Sequence, residues 1–262
     1  MILSRSLACA AMILPGVLGL TRAADAATLI GLTNSNEIVA IDTETRMAAK
    51  PVAVRGAEGT LLGIDQRPAD GKLYGVTSAG QIVTVDPASG QAVQVSSLSE
   101  RFEGGGRAVV DFNPMADRLR LMGMNGTNFR VHPDTGAVTR DGALKYQAGA
   151  LGETVPRITA GAYTNSVGKP AATMLYTLDM LLGQLNLQAP PNDGVQQPKV
   201  LLGSLPAGAA FDIASRAEGD NTAWLLADGT LHNVMLDGGT LTTLGPVARL
   251  PRSEIIDVAA MR

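Results

Sequence analysis

Short apolar runs alternate with turns along most of the chain. Residues 38–41 (IVAI) and 82–85 (IVTV) are four-residue runs rich in β-branched side chains, a pattern typical of strands. Between such runs, pairs such as Asp70-Gly71 and Asp237-Gly238 place a glycine where a tight reversal needs a positive φ. The pattern predicts an all-β protein built from many short strands.

The strands belong to a long internal repeat. Residues 63–98 and 110–140 both contain Asp-x-x-Pro, a turn, an apolar strand, a glycine-containing turn and a second strand. Weaker copies cover residues 158–205 and 209–247. The first strands of the copies align Asp65, Asp111, Ala162, Asp212 and Asp257, at spacings of 46, 51, 50 and 45 residues. A period of this length, with four strands in each copy, is typical of propeller blades.

The two ends of the repeat complete each other. Residues 28–54 supply strands two to four of a further unit, and residues 254–261 supply its first strand. A blade shared between the termini closes the ring and leaves no free sheet edge there. We therefore predict one domain, residues 27–262, that folds as a five-bladed β-propeller of four-stranded antiparallel blades, its ring closed by the C-terminal strand joining the N-terminal blade.

The predicted blades have approximate boundaries. They span residues 254–262 with 28–56, 61–98, 107–141, 158–205 and 209–249. The alternative is a propeller with a sixth, degenerate unit in residues 141–156.

Residues 1–26 have the pattern of a signal peptide. Arg5 precedes an apolar run, and small residues stand at 24 and 26, the positions that a signal peptidase reads. Pro15 interrupts the run before it reaches the ~20 apolar residues of a spanning helix. We expect cleavage after Ala26 and export to the periplasm or the extracellular space, with no membrane contact afterwards.

Composition excludes several classes of site. Cys9 is the only cysteine and lies in the predicted signal peptide, so the processed chain has no disulfide and no thiolate metal site. The formal charge is −3 and aromatic residues make up 3% of the chain. The basic stripe and stacking aromatics of nucleic-acid-binding proteins are therefore missing, and we expect no nucleic-acid partner.

Four aspartates are the candidate site residues. Asp65, Asp111, Asp212 and Asp257 lie on the first strand of their units, which is innermost in a propeller, and four carboxylates on one channel fit Ca²⁺ or another divalent cation. The alternative is structural, because a carboxylate buried between blades must accept hydrogen bonds from its neighbour. Repetition in four of five units favours the structural interpretation. We predict no catalytic residue and no resident cofactor, with the cation as the open alternative.

Several phrases resemble a known family. They are GIDQRPADGKLYGVTSAGQIVTVDPASGQA, VDFNPMADRLRL, FRVHPDTGAV, DGAL, GAYTNS and LYTLD. Together they resemble the bacterial domain of unknown function 4394 family over essentially the whole processed chain. The resemblance implies a secreted, propeller-like domain without an established activity, and it transfers no catalytic residue.

Two functions compete at this stage. The intact repeat and the missing Gly-x-Ser-x-Gly motif favour a non-enzymatic module whose rim loops bind an unknown protein or small-molecule ligand. The alternative is a hydrolase or lactonase-like enzyme that uses the channel aspartates, with or without a divalent cation, as general base or Lewis acid. The sequence does not predict an oligomeric state.

Overall fold

The computed structural model describes residues 27–152, 154–206 and 208–262. The predicted signal peptide, residues 1–26, lies outside the described residues. Within the described part of the chain, the structure is almost entirely β, and its one helix is a 3-10 turn at Pro191–Asp193. No helix in these three segments is long and apolar enough to cross a membrane.

The strands follow one another in five sheets, which we call blades I to V. Blade I contains β1 (Thr28–Thr33), β2 (Glu37–Asp42), β3 (Met47–Ala48) and β4 (Val52–Ala53). Blade II contains β5 (Leu61–Gln66), β6 (Leu73–Thr77), β7 (Gln81–Val85) and β8 (Ala92–Ser97). Blade III contains β9 (Ala108–Asn113), β10 (Arg118–Gly123), β11 (Asn128–Val131) and β12 (Val138–Arg140).

The remaining strands complete the ring. Blade IV contains β13 (Lys145–Tyr146), β14 (Ile158–Tyr163), β15 (Leu175–Asp179), β16 (Gln184–Gln188) and β17 (Val195–Leu201). Blade V contains β18 (Ala210–Ala217), β19 (Asp220–Ala227), β20 (Thr230–Val234) and β21 (Leu241–Pro246). The last strand, β22 (Ile255–Met261), returns to blade I.

The ring closes as predicted. β22 pairs antiparallel with β1, with Leu29 opposite Ala260, so the first and last strands share one sheet. The innermost strands contact one another in the order β5, β9, β14, β18, β22 and back to β5. The prediction of a five-bladed, all-β propeller with four-stranded antiparallel blades is confirmed. The segment considered as a sixth unit instead adds β13 to the outer edge of blade IV, parallel to β17.

The blades stack through layers of side chains, because alternate residues of a strand face opposite neighbours. Four layers are apolar clusters, and that between blades II and III is typical: Tyr74 meets Phe112 edge to face, with 5.3 Å between the ring centroids. The apolar cluster between blades III and IV is smaller. Its members are Val109, Met122, Leu144, Ile158, Tyr163 and Leu175.

The ring has two faces, which are defined here by the direction of the innermost strands. The first face is the one on which the innermost strands begin, and it carries Arg107 and Glu254. The second face is the one on which those strands end, and it carries the connection 164–174 and Arg262.

Candidate functional site

Three of the predicted aspartates meet in the centre of the ring. Asp65 on β5, Asp111 on β9 and Asp212 on β18 each place a carboxylate oxygen within 4.8 Å of the others. They come from blades II, III and V, so the point at which they meet lies on the axis of the propeller. All three side chains are buried.

The same carboxylates also join neighbouring blades. Each accepts a hydrogen bond from a backbone N–H on the innermost strand of the next blade around the ring. The pairs are Phe112 N to Asp65 Oδ2 at 2.7 Å, Tyr163 N to Asp111 Oδ1 at 2.9 Å and Ala260 N to Asp212 Oδ2 at 2.6 Å. These bonds offset part of the cost of burying the carboxylates. The aspartates thus face the channel and also tie neighbouring blades together.

Asp257 also accepts a hydrogen bond from the next blade, but it lies at a different position along the axis of the propeller. Its Oδ2 accepts a hydrogen bond from Ile64 N at 2.9 Å, which ties blade I to blade II. The donors to Asp65 and Asp111 are Phe112 N and Tyr163 N, and each comes one residue after the aligned position of its strand, 111 or 162. The donor to Asp212 is Ala260 N, which comes three residues after the aligned position of its strand, 257. By that rule, Ala259 occupies the aligned position of β22. Asp257 therefore lies two residues nearer to the first face than the alignment suggested.

The crowding of these carboxylates changes their ionisation. Burial, reinforced by neighbouring carboxylates, raises the pKa of Asp65 and of Asp111 well above the usual range. Burial also raises the pKa of Asp212 to about 6 and that of Asp257 to about 8. Like charges held this close cannot all be ionised, so the group retains protons at neutral pH.

An arginine lies at each end of the channel. On the first face, Arg107 is buried, and its Nη2 donates to the carbonyl oxygen of Ala209 at 3.0 Å. Burial lowers the pKa of Arg107, while Asp257 and Glu254 act in the opposite direction. On the second face, burial lowers the pKa of Arg262, while Asp65 and Asp212 oppose that shift. The axis is therefore an acidic interior between two guanidinium groups.

The hydrogen bonds limit what this cluster can bind. Both oxygens of Asp65 and of Asp212 already accept backbone hydrogen bonds, the second ones from Gln66 N and Ile213 N, each at 2.6 Å. Three carboxylates that each offer one oxygen also supply only half or fewer of the six to eight oxygens that Ca²⁺ takes. The geometry fits a hydrogen-bonded tie better than a cation site.

A second polar centre, which was not predicted from the sequence, lies between blades III and IV. Arg120 on β10 is 1% exposed and bonds side chains from four parts of the chain. Its partners are Tyr163 Oη at 3.1 Å, Asn128 Oδ1 at 2.8 Å, Asp141 Oδ2 at 2.6 Å and Asn192 Oδ1 at 2.9 Å. The available signal was an arginine at an alternate position of the otherwise apolar strand RLRLMG.

The fold and the channel define a five-bladed β-propeller whose axis is filled by hydrogen-bonded carboxylates. More particularly, the chain belongs to the family described as domain of unknown function (DUF4394), whose model matches residues 37–259. None of the curated proteins compared matches the chain.

Solved structures with a similar fold are distant in sequence. A protein of unknown function from Bacteroides thetaiotaomicron VPI-5482 is 15% identical, with a TM-score of 0.55, over 89% of this chain. The chain spans 64% of the length of that protein. A chain of a nidogen/laminin complex is 10% identical, with a TM-score of 0.52, over 90% of this chain and 85% of its own length. At these identities, the similarity shows the fold alone.

Proposed function

We propose that this chain is an exported, non-enzymatic binding module in which a rigid ring presents a ligand site on its rim loops. The observation that carries the proposal is the use of the repeated aspartates. Each of the four accepts a backbone N–H from the next blade, and each is less than 9% exposed. A carboxylate that holds two blades together and is shielded from solvent is poorly placed to act on a substrate.

Export rests on the signal-peptide pattern of residues 1–26. Expression of the full chain in a bacterial host, followed by fractionation and N-terminal sequencing, tests it. We expect a processed product that begins at Ala27 in the periplasm or the medium. An uncleaved product in the cytoplasm would contradict export and leave the binding proposal untouched.

The enzymatic alternative is tested on the processed protein with ester and lactone substrates, in EDTA and then with Ca²⁺, Mg²⁺, Mn²⁺ or Zn²⁺. The matched variant is Asp111→Asn, because its amide oxygen still accepts the N–H of Tyr163 while the ionisable group is lost. We expect no turnover above the buffer background and no change in unfolding temperature with any ion, since a ligand of the native state would raise it. Turnover that disappears in folded Asp111→Asn protein would overturn the proposal.

Binding itself is tested by thermal unfolding of the processed protein against a broad library of small molecules and peptides. A ligand that raises the unfolding temperature without being converted supports the proposal. If each stabilising compound is also turned over by the protein, the enzyme hypothesis replaces it.

A further inference from the structure

Blade IV, the unit without the repeated aspartate, is hydrogen-bonded to blade V on the second face. We call this contact, which joins residues 164–166 to residues 215–221, the clamp. The unit lacks an aspartate at Ala162, and the β14–β15 connection that follows, residues 164–174, is longer than its counterparts at 67–72, 114–117 and 218–219. Its first residues bond directly to blade V. The bonds are Asn165 N to Asn221 Oδ1 at 2.7 Å, Asn221 Nδ2 to Asn165 Oδ1 at 3.0 Å, Gly219 N to Asn165 Oδ1 at 2.8 Å and Ser166 N to Ser215 Oγ at 2.9 Å.

This clamp borders a cavity between blades IV and V, which we call the IV–V groove. Its volume is about 340 Å³, within the range of small-molecule pockets. Thr164 and Asn221 of the clamp line it, and so do Met174 and Met235. The hydrogen-bonded clamp holds one wall in place before any ligand arrives, which reduces the entropy lost on binding.

The lining of the groove combines apolar surface with one charge. Met174 is 45% exposed and Met235 is 57% exposed, and methionine side chains adapt their shape to apolar ligands. Tyr176 also lines the groove, but it is 2% exposed and belongs to the apolar layer between blades IV and V. Among the described residues that line it, Asp237 is the one that carries a charge, and it is exposed. Burial raises the pKa of Tyr176, and the charge of Asp237 adds to that shift.

From these features we propose that the IV–V groove binds small organic cations, in which an apolar or aromatic body carries an amine. The body contacts the two methionines, and the ammonium group lies beside Asp237, whose carboxylate favours a positive charge. This inference rests on the proposed binding function and assigns it a place and a ligand class.

Three probes with the same aromatic body test the ligand class: 2-phenylethylamine, 2-phenylethanol and 3-phenylpropanoate. Binding to the processed protein is measured by NMR titration at millimolar concentrations. We expect the amine to bind most tightly and the carboxylate least. Equal affinities for the three probes, or binding of none of them, would overturn the assigned ligand class, whereas the library measurement above judges the binding function separately.

Variants locate the site. Asp237→Asn should weaken the amine about fivefold and leave the alcohol unchanged, because it removes one partly exposed charge contact. Met235→Ala should weaken both probes about threefold or more by removing apolar contact. Both residues are exposed, so we expect both variants to fold.

The matched control is Asp228→Asn, an exposed turn aspartate of the same blade on the first face, which should change neither affinity. Amine binding that survives the first two changes would place the site elsewhere and overturn the inference.

Discussion

Neighbouring residues of β10 face two different kinds of interface. Leu121 faces blade II, where it packs in an apolar cluster with Tyr74 and Phe112 and is 0% exposed. Arg120 faces blade IV, where it is 1% exposed and bonds four side chains. One strand of one repeat unit therefore joins its two neighbours by opposite chemistry.

The polar interface has a physical cause in the chain that enters it. Segments on either side of the interface, around Gly142 and Pro191, place backbone groups between blades III and IV. Asn128 Nδ2 donates to the carbonyl oxygens of Gly142 and Pro191, at 2.9 and 3.3 Å. Buried backbone groups outside a sheet need partners, and polar side chains supply them. Between blades II and III, the side chain of Leu121 packs in an apolar layer, and the polar contact is made separately by Arg67, which bonds Asp117 and Asp134 of blade III.

The strongest test of this contrast is to remove the polar centre. Arg120→Met keeps much of the side-chain volume but leaves Asp141, Asn128 and Asn192 without its donors. Asp141 keeps its pair with Arg130, but the side-chain oxygens of Asn128 and Asn192 each lose a donor at a cost of about 1–3 kcal/mol, so the free energy of unfolding, measured in urea, should fall by about 2–6 kcal/mol. The control is Arg118→Met on the same strand, whose guanidinium bonds backbone oxygens in its own turn and which should cost about 0.5 kcal/mol or less. Equal effects of the two changes would contradict a special role for Arg120.

The stability of the apolar layer between blades II and III should depend on side-chain volume. Leu121→Ala should lower the free energy of unfolding by about 2–5 kcal/mol, because a fully buried leucine leaves a cavity. Leu121→Met nearly conserves volume and should cost less than about 1.5 kcal/mol. Arg120→Lys has no comparable tolerance, since an ammonium group cannot reproduce the planar set of guanidinium bonds. If Lys replaces Arg120 as cheaply as Met replaces Leu121, the two interfaces do not differ as described.

The fold could be predicted because its evidence is local and repeated. Apolar alternation, turn glycines and a period of 45–51 residues specify strands, blades and the closing strand without knowledge of distant contacts. The convergence of Asp65, Asp111 and Asp212 followed from the same repeat, because equivalent positions of equivalent strands meet at the axis.

The rest depends on contacts that no local pattern records. Asn192 is 72 residues from Arg120 along the chain, and their hydrogen bond exists only after the loop at 190–194 has entered the interface. The position of Asp257 along the axis could not be predicted either. Its part of the repeat contains one strand, β22, and the pattern of a single strand is too short to determine its register to within two residues.

The channel aspartates join both kinds of interface, so they allow a direct comparison. Asp65 ties blade II to the apolar side of blade III, and Asp111 ties blade III to blade IV. Asp65→Ala and Asp111→Ala should each lower the free energy of unfolding by about 1–3 kcal/mol, because each leaves a buried N–H without a partner. Asp111→Asn should cost less than about 1 kcal/mol, since the amide oxygen accepts the N–H of Tyr163. Asp65→Asn should cost about 1–3 kcal/mol, because both oxygens of Asp65 accept backbone N–H groups and the amide NH2 replaces one of these acceptors. These values are read from urea unfolding in EDTA. An Asp111→Asn variant as unstable as Asp111→Ala would favour a bound cation over a tie.

The last effect that we predict is a dependence of stability on pH. Burial raises the pKa of Asp257 to about 8 in the folded chain, above the ordinary value of 3.8 that we assign to the unfolded chain. At Asp257 the folded state therefore binds more protons than the unfolded state, so the contribution of this group to stability is fully present below pH 3.8 and is lost as the pH rises through 8. Asp65 and Asp111, whose pKa values are also raised, act in the same direction. The unfolding temperature should fall between pH 6.5 and 8.5, and Asp257→Asn should reduce that slope.

Asp42→Asn is the control. Hydrogen bonds from Thr45 lower the pKa of Asp42, so this group is ionised in both the folded and the unfolded chain in this pH range. A slope that is unchanged in Asp257→Asn would mean that Asp257 is already ionised in the folded chain, and the protonated acidic interior would have to be assigned to the carboxylates of Asp65, Asp111 and Asp212 alone.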